Sequence, residues 1–166
     1  MFLPTRVFYS ALVEAEYYEE MLVQRINRAG FQAYRPDQHN LEKRLPEDPL
    51  IYTKQQHDVL IKVDKVKRLV IECKARYGSP FNKYSTILIN NKFGIDTKEF
   101  PVHYYVIIDI DIKKAFVTSG SDEARKEWIV KDYSKDRSYA VPKKNFVSID
   151  DWVDELHSII SPEFKS

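Results

Sequence analysis

The chain has 166 residues, 43% of them hydrophobic and 13% aromatic, with 26 Lys and Arg against 25 Asp and Glu. That is enough apolar material for a packed core, and it excludes a disordered chain or a uniformly basic tail, so any nucleic-acid surface must be a local patch. The lone cysteine, Cys73, excludes an internal disulfide framework, a zinc knuckle and a cysteine-held iron–sulfur cluster, and the four glycines form no G-x-G-x-x-G or P-loop cradle.

The length suits one domain spanning residues 1–166. No stretch approaches the roughly 20 apolar residues of a membrane span, and Met1–Leu12, followed at once by Glu14 and Glu16, does not read as a signal peptide. An intracellular, cytoplasmic protein is therefore expected.

The first element is a helix from about Ser10 to Ala29, with Leu12, Ala15, Leu22, Val23, Ile26 and Ala29 at helical spacing and Gly30 as its stop. Phe31–Tyr34 reads as a short strand. Arg35–Thr53, with three prolines, reads as the longest loop. His57–Val63 and Lys67–Lys74 are rich in Val and Ile and flank Asp64-Lys65-Val66, which predicts a hairpin. Tyr77–Pro101 is open to either a helix or a strand plus loop. Val102–Asp109 and Lys114–Thr118 follow as strands, then Trp128–Val130 and Tyr139–Val141 as short edge strands. Ser148 caps a final helix whose apolar stripe is Ile149, Trp152, Val153, Leu156, Ile159 and Ile160. The order predicts a mixed α/β (α+β) domain, a sheet flanked by helices.

Two carboxylates and a lysine interrupt the apolar hairpin: Asp58, Glu72 and Lys74. Charges are costly to bury without a partner or a task. Glu72 and Lys74, two apart, share a face, and Cys73 points to the other. If the turn centres on Lys65, opposed residues have numbers summing to 130, and Asp58 faces Glu72 with Cβ atoms roughly 5 Å apart. Two such carboxylates repel unless a cation lies between them. Hard oxygen ligands without a His or Cys cluster favour Mg²⁺ or Mn²⁺, and Lys74 beside them could hold a water. A one-residue slip would move Asp58 to the other face.

Asp58 followed by Glu72-x-Lys74 on the next strand resembles the PD-(D/E)XK nuclease superfamily, the restriction-endonuclease-like core shared by restriction enzymes, junction resolvases and phage exonucleases. The resemblance covers about Ser10–Asp109. It implies a central mixed sheet between helices and Mg²⁺-dependent phosphodiester hydrolysis. It also implies Asp58 and Glu72 as metal ligands and Lys74 as the group that positions water. Many members carry a further Glu on the first helix, and Glu19 fits best, ahead of Glu16 and Glu20. The residue before Asp58 is His57 rather than the Pro of the motif, a position at which many members of the superfamily also lack Pro.

Charge is segregated as a phosphate-binding face requires. Lys62–Lys92 holds eight basic residues against Asp64 and Glu72, and Lys131–Lys144 forms a second basic group. The expectation is a metal-dependent deoxyribonuclease, endo- or exonuclease, with DNA favoured over RNA, a possible homodimer, and an origin in a virus or mobile element. The alternative is a nucleic-acid-binding or accessory protein that keeps the fold without cutting.

Overall fold

The computed structural model describes residues 5–36, 59–97, 102–133 and 136–165. The first helix, α1 (Thr5–Arg28), ends where Gly30 takes a left-handed φ of 102°. It leads to the two-residue β1 (Ala33–Tyr34). The predicted hairpin is β2 (Val59–Lys62) and β3 (Arg68–Arg76). Its register is the one expected from the turn: Val59 faces Ile71 and Leu60 faces Val70. Asp64 fixes that turn, its Oδ1 accepting from the backbone N–H groups of Val66 and Lys67 at 2.9 and 2.8 Å.

The ambiguous stretch resolves into a short helix α2 (Pro80–Lys83), a strand β4 (Thr86–Asn91) and a second short helix α3 (Lys92–Asp96). Then come β5 (Tyr104–Asp109), β6 (Lys114–Ser119), the one-turn α4 (Asp122–Arg125), β7 (Ile129–Tyr133), β8 (Asp136–Pro142) and β9 (Val147–Ser148). The last helix, α5 (Ile149–Ile159), carries the expected cap, Ser148 Oγ accepting from the Asp151 N–H at 3.2 Å. No described helix is long and apolar enough to cross a membrane.

A six-stranded sheet runs β1-β2-β3-β5-β6-β9, antiparallel throughout except for the parallel β3–β5 pair. β3 therefore sits in the interior of the sheet. On one face Ile71, Val106 and Val117 pack against Leu22, Val23 and Ile26 of α1 and Trp152, Val153 and Leu156 of α5. On the other face Val70, Tyr105 and Ile107 pack under a second sheet, β4-β8-β7, together with Phe81 of α2 and Ile95 of α3. The expected helical flanking thus describes one face, and strands cover most of the other.

The C-terminal strands differ from the sequence expectation. β7 is an edge, but β8 is the middle strand of its sheet, pairing with both β4 and β7. Ala140 and Val141 are fully buried there. Their short apolar run between Ser138 and Pro142 gives little sign of a two-sided strand.

His103 also has a structural role. Its Nδ1 accepts the Val70 N–H at 2.9 Å, just where the β3–β5 ladder begins. Burial, with Lys67 adding to it, lowers the His103 pKa below the usual histidine value. The unfolded chain therefore binds the extra proton, and this contribution to stability is present above about pH 6.5 and lost as pH falls through the lower folded pKa. His103→Gln should lower the melting temperature at pH 7.5 and flatten its decline towards pH 5.5. An unchanged pH slope would remove His103 as its source.

Candidate active site

β3 presents Glu72, Lys74 and Arg76 in a row on the face under the second sheet, alternating with Ile71 and Cys73 on the helical face. Cys73 packs against the helical core, as its alternation predicts. The row spans about 13 Å, at about 3.3 Å per residue. β2 is described only from Val59, opposite Ile71. Among the described residues, β3 beyond Ile71 has a ladder partner on the β5 side alone.

Glu72 is 7% exposed. Its Oε1 lies 3.4 Å from Lys74 Nζ and accepts from Asn90 Nδ2 at 3.0 Å. Asn90 reaches it because β4 carries an irregularity: Leu88 pairs with Ala140 but Asn90 pairs with Tyr139, leaving Ile89 as an extra residue. Such a bulge re-aims the side chain that follows it. Nothing in the Thr86–Asn91 sequence announces this, and sequence reasoning missed Asn90.

Glu19 is half-buried where Glu16 and Glu20 are exposed. Its Oε2 accepts from Arg35 Nε at 3.0 Å. Burial raises its pKa, and the Arg35 guanidinium offsets this only in part. α1 covers the sheet face opposite Glu72, so Glu19 and Glu72 approach from different sides. Asp58 lies outside the described residues, as do Gln55, Gln56, His57 and most of the long Arg35–Thr53 loop. Among the described residues no three His, Cys, Asp or Glu side chains gather into a metal-ligand group. The donors that are described, the carboxylates Glu72 and Glu19, are hard oxygens of the kind Mg²⁺ and Mn²⁺ prefer.

Several other charges have structural duties. Arg68, counted above in the basic group, is buried and donates to Tyr34 Oη at 2.9 Å and to the Asp64 carbonyl at 3.0 Å. Lys92 is held by Asp96, and Arg137 by Asp132. Asp111 Oδ2 accepts from the Gly78 and Ser79 N–H groups, pinning a turn in which both residues have positive φ. Asp109 stands opposite Arg76 in the ladder and is fully buried. Its carboxylate oxygens have no hydrogen-bond partner among the described residues.

No family model and no curated protein matches the chain. Among solved structures, D212, a nuclease from a fusselovirus, superimposes with a TM-score of 0.45 at 15% identity, over 96% of each chain. The likeness is too loose to carry residue roles from one protein to the other.

Proposed function

We propose that this chain is a divalent-metal-dependent nuclease that hydrolyses phosphodiester bonds, with DNA as its substrate. The observation that supports it most is the close pairing of Glu72 and Lys74 on the covered face of an interior strand. Burying a carboxylate and an ammonium there is costly, and structural strands rarely keep such a pair without a task.

In this reading Glu72 and Asp58, the residue directly before Val59, hold Mg²⁺ or Mn²⁺, and Glu19, paired with Arg35 on the helical side of the sheet, stays outside the set. Such a cation, when bound, withdraws charge from the scissile phosphate and lowers the pKa of water. Lys74 donates a hydrogen bond to the attacking water and offsets the negative charge that develops on the phosphate. Asn90 fixes the rotamer of Glu72. Supporting partners of a ligand typically matter ten- to a hundredfold in metal affinity. Asn90→Ala should therefore weaken Mn²⁺ binding by about that factor without unfolding the chain. Affinity within twofold of the parent would remove Asn90 from the site.

The proposal is tested with labelled linear duplex, single-stranded and branched DNA, and RNA, incubated with Mg²⁺ or with EDTA. Cleavage of DNA in Mg²⁺, abolished by EDTA, is expected. Binding without cleavage in Mg²⁺ and Mn²⁺ alike would make the chain a non-cutting nucleic-acid-binding protein.

A further inference from the structure

Two cavities meet at Arg76. One, of about 300 Å³, lies between α1 and the end of β3 and includes Lys74, Arg76 and Tyr77 in its wall. The other, of about 370 Å³, runs from Arg76 past Tyr84 and Thr86 to Lys131 on β7. The second lies on the face of Glu72, Lys74 and Arg76 and continues their row, while the first lies on the helical face of β3. Tyr77 and Tyr84 are 63% and 62% exposed. The Tyr77 hydroxyl is tied to Glu14, which steadies its ring, while the Tyr84 side chain makes no ring contact or hydrogen bond among the described residues.

We infer that the second cavity forms a track for single-stranded DNA, in which Arg76 and Lys131 take phosphates and Tyr84 stacks a base as the strand leads along the row to Lys74. The inference rests on the nuclease reading above, whose substrate form it names. Large exposed tyrosines beside cations are the surface that single strands use, because every base offers a π-face, whereas a paired base keeps its face within the duplex stack. The guanidinium of Arg76 is half-buried, and its one hydrogen bond among the described residues is a long one, 3.5 Å, to the Ala75 carbonyl. Burial lowers its pKa, with Glu72 opposing. Glu72 and Asp109 lie near it, but neither carboxylate hydrogen-bonds to the guanidinium, and a phosphate would supply that bond. Lys131 is exposed and, among the described residues, hydrogen-bonds only to Thr86 Oγ1, at 2.7 Å. The acid on this wall, Asp132, is engaged by Arg137 at 3.3 Å.

The test is fluorescence anisotropy in EDTA, where nothing is cut, with a labelled single strand of about 16 nucleotides, near the upper site size of single-strand binders, and a blunt duplex of the same sequence. The parent should prefer the single strand. Tyr84→Ala should weaken single-strand binding about tenfold and leave duplex binding unchanged, and Tyr84→Phe should restore it. Lys131→Ala should reduce the log–log salt slope on the single strand by about 0.7. Equal losses on both probes, or no loss from Tyr84→Ala, would overturn the track. A chain that cut neither probe in Mg²⁺ but kept the Tyr84-dependent preference would sink the nuclease reading and uphold the track.

Discussion

Lys74→Ala should take up Mn²⁺ as the parent protein does and cut DNA about a thousandfold more slowly. Lys74 donates no electron pair to a cation. Removing it takes away a positive charge 3.4 Å from Glu72 Oε1, which if anything favours a cation there. Glu72→Gln should behave differently, losing both metal uptake and cleavage. The sequence alone suggests that neutralising one of two crowded carboxylates relieves repulsion and stabilises the metal-free protein. The described partners of Glu72 point the other way. Its carboxylate already faces Lys74 and the Asn90 amide, so Gln leaves a half-buried ammonium without its counter-ion. A loss of about 1–3 kcal/mol follows. Thermal melts in EDTA check it, and a Glu72→Gln protein as stable as the parent would mean that Lys74 does not rely on Glu72.

Trp152→Ala should lower the stability of the chain by about 3–5 kcal/mol. Trp152 is fully buried, and its ring meets Tyr104 edge-on at 5.4 Å between centroids. It belongs to the core that α1, α5 and the large sheet share, so its removal opens a cavity where three elements meet. Its indole Nε1 has no hydrogen-bond partner among the described residues. Trp152→Phe therefore loses no hydrogen bond and should cost clearly less than Ala. Denaturant unfolding of the two variants tests this, and equal losses would show that volume is not what Trp152 contributes.

What the sequence made legible follows from short-range chemistry. The hairpin register could be read because Asp64 sets a tight turn between two Val- and Ile-rich runs, and a one-residue slip would turn Ile61 and Ile71 out of the core. The last helix could be read from Ser148 and a clean apolar stripe. The half-burial of Glu19, against the exposure of Glu16 and Glu20, could be read because Glu19 shares a helix face with Leu22, Val23 and Ile26.

What stayed hidden depends on contacts between distant segments. The β4 bulge that brings Asn90 to Glu72 joins residues 18 apart and has no local signature. The burial of Arg68 depends on Tyr34, 34 positions earlier. A charge count along the chain cannot distinguish that cation from one open to phosphate. The two-sided pairing of β8 likewise depends on β4, which the sequence left open between helix and strand.

Titration calorimetry with Mn²⁺ on the parent, Asp58→Asn and Glu72→Gln bears most directly on the claim that this is a metal-dependent nuclease. The account predicts uptake by the parent that is lost in both variants, with duplex DNA binding retained because the basic groups are untouched. Uptake unchanged in Asp58→Asn and Glu72→Gln, or absent from the parent, would contradict it.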